Sequence, residues 1–165
     1  MKLIAAVNKN WGIGKDNDLL YHIPGDMKFF RSKTKNNIII VGRKTLESFP
    51  DGKPLKFRTN VVLTTDTNYK ADDAVIFNTV DDIVSYVKNH SDKDVYVCGG
   101  AQIYNLFLPL CSTAYITKID DDKDAEKFMT NLDENPDWKL IEKSETFVEN
   151  GYSYKFCTYT NLNYK

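Results

Sequence analysis

Four short runs of aliphatic and β-branched residues constrain this chain most: Leu3–Val7, Ile38–Val41, Val61–Leu63 and Val95–Cys98. Each is apolar nearly throughout rather than at alternate positions, and each is bounded by polar or glycine residues. A strand with no polar face must be covered on both sides, which is the condition of a central strand in a parallel sheet. Between these runs the spacing turns helical. Met27, Phe30 and Arg31 follow Pro24-Gly25-Asp26, a helix start with proline and an acid at its N-terminus. Val80, Ile83, Val84 and Val87 mark a second helix, and Ile103, Leu106 and Phe107 a third, stopped by Pro109.

The last third changes character. Ala114–Ile119, Lys139–Val148 and Tyr152–Thr160 read as strands, and Asn150-Gly151 between the last two is a hairpin signal. The expected fold is α/β: one domain over residues 1–165, with a mixed, mostly parallel eight-stranded sheet. About four helices flank it, and an antiparallel hairpin closes the C-terminal side. Gly12-Ile13-Gly14 has Asn17 where a dinucleotide fingerprint needs its third glycine, so this segment is expected to be a loop.

Composition excludes several classes. The 42% hydrophobic and 13% aromatic residues of the 165 exclude a disordered chain. With 22 Lys and Arg against 23 Asp and Glu, the net charge is −1. No global basic field exists to recruit nucleic acid or an anionic membrane, so anion recognition must be local. Cys98, Cys111 and Cys157 are too few and too scattered for a disulfide framework or a zinc knuckle, which suggests a reducing compartment. The run Leu3–Val7 is too short for a signal peptide, and no stretch approaches the roughly 20 apolar residues of a membrane span. A cytoplasmic protein is expected, and nothing demands more than a monomer. No metal is expected either. The acids of Asp120–Glu126 resemble a calcium loop, but Ala125 and Asn131 stand where glycine and glutamate are needed. A solvated loop is the expectation there.

Three glycine-bearing places follow apolar strands. Gly12 and Gly14 suit either a mobile lid or an ordinary turn. Gly42-Arg43-Lys44-Thr45 puts cations and a hydroxyl at a helix start, either an anion site or a solvated turn. Gly99-Gly100 before Ala101-Gln102 lets a backbone approach a ligand closely. Two such junctions in one α/β sheet point to a diphosphate-containing nucleotide. Only three arginines stand against 19 lysines, so Arg58 is a candidate carboxylate fork, with a structural ion pair as the equal alternative. Asp26 lies among Ile23, Met27 and Phe30; it is either a buried carboxyl with a raised pKa or an exposed helix-start acid.

Taken together, the residues resemble the dihydrofolate reductase family along essentially the whole chain. The blocks are Ile4-Ala5-Ala6, Gly12-Ile13-Gly14-x-x-Asn17, Ile23-Pro24-x-Asp26-x-x-x-Phe30, Val41-Gly42-Arg43-x-Thr45-x-Glu47-Ser48 and Pro54-Leu55-x-x-Arg58, followed by Gly99-Gly100-Ala101-x-Ile103-Tyr104 and Tyr115-x-Thr117-x-Ile119. The resemblance implies reduction of 7,8-dihydrofolate to tetrahydrofolate, with hydride from NADPH to C6 and a proton to N5. It implies that Asp26 anchors the pterin, that Thr117 fixes Asp26, and that Tyr21, where a tryptophan is common, helps hold a water. Ile4, Ala5, Leu19, Met27, Phe30, Phe49 and Leu55 would form the apolar slot, with Cys98 and Tyr104 also meeting substrate. Arg58 would take the glutamate α-carboxylate. For the cofactor it implies Gly42, Arg43, Lys44 and Thr45, and Cys98, Gly99, Gly100, Ala101, Gln102, Ile103 and Tyr104. Ala6, Ile13, Gly14, Asn17, Leu19, Leu63, Thr64 and Thr65 complete the cofactor set. A cis Gly99–Gly100 bond and a closing lid over Asn8 to His22 are implied too. Asp66 and Gln102 stand where help with a 2′-phosphate is expected, which leaves Arg43 with Thr64 or Thr65 as its selectors. Folate-analogue inhibitors are expected ligands. A riboflavin-pathway type of reductase and a catalytically silent nucleotide-binding domain are the rival readings.

Overall fold

The computed structural model describes residues 1–164. Along the chain run β1 (Lys2–Val7), β2 (Gly12–Lys15), β3 (Asp18–Leu19), α1 (Pro24–Thr34), β4 (Ile38–Gly42) and α2 (Arg43–Glu47). Next come β5 (Thr59–Leu63), β6 (Ala74–Phe77), α3 (Val80–Lys88), β7 (Val95–Val97) and α4 (Ala101–Phe107). The last are β8 (Thr113–Ile119), β9 (Lys127–Phe128), β10 (Trp138–Lys143), β11 (Phe147–Glu149) and β12 (Tyr152–Asn161). The main sheet has the order β10-β12-β8-β1-β7-β4-β5-β6, and β11 adds to β12. Strands from β8 through β6 are parallel; β12 runs antiparallel to β8, β10 and β11.

The continuous apolar runs are explained by two covered faces. Leu3, Ala5, Val7, Ile38, Ile40, Val61 and Val97 pack with Ile83 of α3 and Ile103 and Phe107 of α4. The alternate residues Ile4, Ile39 and Tyr96 pack with Phe29 and Phe30 of α1, while Val41 and Val62 pack with Leu46 of α2. Successive side chains leave a strand on opposite faces, so burying both faces requires apolar residues at every position.

The first helix has a notable start. Ile23 at its N-cap offers no side-chain oxygen. The Gly25 N–H donates instead to Glu149 Oε1 at 2.7 Å, so the C-terminal hairpin supplies the carboxylate that a local cap would have given. Phe29 stacks on Phe156 with ring centroids 4.4 Å apart, which pins the same helix to β12.

Three expectations change. The Gly12–Gly14 segment is not a loop: β2 and β3 form a hairpin turning at Asp16 and Asn17, both with positive φ, and β9 pairs with β2. Two consecutive left-handed residues close a tight hairpin, a signal that the polar composition concealed. The strand expected over Lys139–Val148 is interrupted. Ser144 N–H donates to Phe156 C=O at 2.9 Å, while the Phe156 N–H donates to the Ser144 side chain at 2.9 Å, so a hydroxyl replaces a ladder partner there. Finally, Ala74–Phe77 adds β6, a half-buried strand at the edge of the sheet.

Candidate active site

Asp26 lies in the first turn of α1, against the middle of β8. The Thr117 hydroxyl donates to Asp26 Oδ1 at 2.6 Å. Burial raises the Asp26 pKa above the ordinary carboxyl range, and the Thr117 hydrogen bond opposes part of that rise. The carboxyl is thus held with one donor in a mostly apolar setting, rather than exposed at a helix start. Tyr104 is close by: its hydroxyl donates to the Ile4 C=O at 2.7 Å, and burial above all holds its pKa well above normal, with Cys98 and Asp26 nearby adding to the rise.

The apolar residues expected beside Asp26 converge. Ile4, Phe30, Phe49, Leu55 and Cys98 belong to one packed cluster with Ile39 and Tyr96. Ala5 is buried in the neighbouring core. Met27 and Leu19 are 51% and 61% exposed, large apolar side chains left at the surface of α1 and the β2–β3 hairpin. Leu55 is held through Asn60, which accepts the Leu55 N–H at 3.0 Å and donates to its C=O at 2.9 Å.

Arg58 is anchored rather than ion-paired. Its Nε donates to Thr34 Oγ1 at 3.1 Å and its Nη1 to the Lys56 C=O at 2.9 Å, and its guanidinium lies 5.9 Å from the Phe30 ring centre. Burial and the nearby Arg31 charge lower its pKa. With two donors spent on the fold, the remaining ones are oriented and lack an acidic partner among the described residues.

The two strand–glycine–helix junctions meet because β4 and β7 are sheet neighbours. The Gly42 N–H donates to the Gly99 C=O at 2.9 Å, and the Gly99–Gly100 bond is cis. A Cβ on Gly42 would stand 3.2 Å from Ile103, and one on Gly100 would stand 3.5 Å from the Thr45 hydroxyl. Gly42 thus lets Ile103 of α4 pack closely on the end of β4, and the two neighbouring strand ends bring backbone N–H groups and the Thr45 hydroxyl together, a donor set that fits a diphosphate. Lys44 is exposed, and Arg43 lies between Glu47 and the ring of Tyr69. Leu63 is half-buried, Thr64 is buried with its oxygen accepting the Asp66 N–H at 3.2 Å, and Thr65 is exposed. Gln102 is exposed, while Ala101 is half-buried.

The β2–β3 hairpin is tied at its base. Asn8 Oδ1 accepts the Gly12 N–H at 2.9 Å and its Nδ2 donates to the Lys123 C=O at 2.9 Å. Tyr21 donates to the Asp121 carboxylate and accepts weakly from Asn8; burial and the Asp121 bond push its pKa to about 12, against the opposing Asn8 bond. Its single proton is committed to Asp121, in an Asp120–Glu126 segment that is otherwise the largely exposed loop expected of it. Ala6 packs beside Tyr21, Ile13 joins the main core, Gly14 accepts the Glu126 N–H at 2.9 Å, and Asn17 is exposed at the turn.

A family model described as "Dihydrofolate reductase" matches residues 1–161. The chain belongs to the dihydrofolate reductase family. It is 35% identical over 166 residues to the dihydrofolate reductase of Staphylococcus haemolyticus, covering 98% of this chain and 96% of that one. It is 33% identical to the Bacillus subtilis enzyme over 165 residues, covering 99% and 95%. A solved structure of dihydrofolate reductase from Enterococcus faecalis, complexed with NADP(H) and RAB-propyl, superposes with a TM-score of 0.87 at 29% identity. That likeness covers 97% of this chain and 95% of the other. The family's reaction, NADPH-dependent reduction of 7,8-dihydrofolate, is the activity of this chain.

Several residues that brace these elements are not singled out by any motif of the sequence. Glu149 and Tyr154 brace the start of α1, Thr34 orients Arg58, and Asn8 anchors the hairpin. Asn60 and Asn8 carry a usable signal, a polar residue directly before or directly after an apolar run. Glu149 carried none, since its partner lies 124 residues away.

Proposed function

We propose that residues 1–165 act as one dihydrofolate reductase domain in which Asp26 steers the proton and Thr117 fixes Asp26. The observation that carries this reading is the 2.6 Å Thr117–Asp26 bond within an otherwise apolar setting. An ionised carboxylate there is costly, so it gains from a cationic or N–H-rich partner. Accepting the pterin's N3–H and 2-amino group meets that need and favours protonation at N5. When bound, NADPH supplies the hydride for C6.

The remaining roles complete the same reading. Ile4, Ala5, Leu19, Met27, Phe30, Phe49 and Leu55 enclose the rings and exclude water. Arg58 takes the glutamate α-carboxylate, and Cys98 and Tyr104 contact both substrate and cofactor. Arg43, Lys44 and Thr45 hold cofactor phosphates, with Gly99 to Gln102 at the second junction. Since the Thr64 oxygen serves its own turn, Thr65 joins Arg43 in selecting the 2′-phosphate. Ile13, Gly14, Asn17 and Leu19 close over the cofactor, and Tyr21 is a positioning residue that holds the base of that hairpin through Asp121. Folate-analogue inhibitors compete in the same slot. A monomer in a reducing cytoplasm fits three unpaired cysteines, and no helix among the described residues is long and apolar enough to cross a membrane.

The test is a steady-state absorbance assay with NADPH and NADH in parallel. NADPH is expected to be consumed only when dihydrofolate is present, and faster than NADH. Consumption without dihydrofolate, or none with it, overturns the reading.

A further inference from the structure

We propose that Glu149 and Tyr154 are positioning residues for the proton step, which seat Asp26 against Thr117 by fixing where α1 lies along β12. The proposal rests on the reading that Asp26 steers the proton. Sheet register builds the seat. Phe147 and Glu149 of β11 stand opposite Tyr154 and Tyr152 of β12, and Phe156 of β12 stands opposite Thr117 of β8. Directly paired residues share a face, and so do alternate residues along a strand, so all six point to the side that α1 covers. Two contacts then match the helix to β12: Gly25 meets Tyr154, and Phe29 stacks on Phe156. Four helical residues rise about 6 Å and two strand residues about 6.8 Å, so the two contacts agree in length. A slide of one helical turn would carry Asp26 away from Thr117.

The Gly25 end sets that match. Pro24 has no N–H and the Ile23 cap offers no side-chain oxygen, so the first N–H of α1 belongs to Gly25. It donates to Glu149 Oε1 at 2.7 Å, and the Tyr154 hydroxyl donates to the same oxygen at 3.4 Å. A Cβ on Gly25 would collide with the Tyr154 hydroxyl oxygen, so the tyrosine fills the place of the missing side chain. The residue directly before Asp26 is thereby held from two strands. Phe147 stacks on Tyr154 with ring centroids 5.7 Å apart, and the Asn150-Gly151 turn, at φ of 53° and 81°, fixes the hairpin that carries Glu149. Around Asp26 stand Thr117 of β8, Tyr104 of α4 and Tyr154 of β12, with Glu149 behind Tyr154 and Cys98 beside Tyr104. Tyr21 turns its hydroxyl to Asp121, and no ion pair among the described residues includes Asp26. The Thr117 bond is therefore the one contact through which a shift of α1 reaches the carboxyl.

The experiment measures kcat/KM for dihydrofolate against pH with saturating NADPH, each variant being shown folded by circular dichroism. The Thr117 bond opposes the rise that burial gives the Asp26 pKa, so a loosened seat moves the Asp26 limb to higher pH. Glu149→Ala should move it by about one unit, a tenfold change in proton affinity. Glu149→Gln keeps an oxygen for the Gly25 N–H and should retain the original limb, although it removes a charge. Tyr154→Phe deletes one hydroxyl and should move the limb the same way by less. In the Thr117→Val background neither Glu149→Ala nor Tyr154→Phe should add further movement, because all three act through one contact. An unmoved limb in Glu149→Ala or Tyr154→Phe, a moved one in Glu149→Gln, or full additivity with Thr117→Val overturns the proposal. Should Glu149→Ala fail to fold, Tyr154→Phe alone and with Thr117→Val carries the same test. The limb should be absent from Asp26→Asn; if it persists there, the reading of Asp26 fails instead.

Discussion

Thr117 and Asp26 are 91 residues apart in the chain, yet the hydroxyl of one donates to the carboxylate of the other at 2.6 Å. One comes from the middle of a buried strand and the other from the first turn of a helix. Thr117 is 2% exposed, so its hydroxyl has no freedom to turn elsewhere.

Replacing Asp26 by Asn separates stability from activity. Burial holds the folded pKa of Asp26 above its unfolded value. For a group shifted upward, its stabilising share is present below the unfolded pKa and lost as pH rises through the folded one. Asp26→Asn should therefore raise the melting temperature at pH 7, and the gain should vanish below the ordinary carboxyl range. Turnover should fall on the order of a hundredfold at pH 7 and less in acid, where substrate is already partly protonated. A pH series of melts and rates checks both; full activity throughout would remove Asp26 from the mechanism.

Thr117→Val keeps the shape and deletes the donor. Losing a hydrogen bond to a charged group should cost about 1.5–3 kcal/mol at neutral pH. Because that bond lowers the Asp26 pKa, the Asp26 limb of the kcat/KM profile should move to higher pH. An unmoved profile would show that the bond does not govern ionisation.

Arg58→Leu should weaken dihydrofolate by about 1.5–3 kcal/mol while leaving a pterin without glutamate nearly unaffected. Equilibrium binding of both ligands provides the comparison. Equal losses would mean that Arg58 shapes the slot instead of holding the carboxylate.

Gly25→Ala tests the brace on α1. A Cβ at Gly25 would stand 2.2 Å from the Tyr154 hydroxyl oxygen and 3.0 Å from Glu149 Oε1. Displacing that pair should destabilise the fold by about 1–3 kcal/mol and lower turnover through the shifted Asp26. Denaturant melts and steady-state rates measured together would expose a harmless substitution.

Much of the sheet was legible because burial on two faces leaves a local trace: β1, β4, β5 and β7 are written as unbroken apolar runs. The β2–β3 hairpin was not, since its turn is set by left-handed backbone at Asp16 and Asn17, residues whose polarity reads equally as loop. β10 and β11 looked continuous because Ser144 replaces a ladder bond with its side chain, and alternation alone does not register that exchange. At the site, Asp26, Arg58 and the two glycine junctions stood out by residue type, whereas Glu149 and Thr34 did not. Their parts come from partners that only folding brings near.

By itself the sequence determined the parallel core, the glycine junctions at two strand ends and the presence of one acid among apolar neighbours. These depend on spacing within a few residues, where periodicity and backbone freedom act. Only the tertiary structure decided that the junctions share a hydrogen bond, that Tyr21 belongs to Asp121, and that Thr34 orients Arg58. Such pairings follow from strand order and register, and those are set by how the whole set of apolar faces is buried at once.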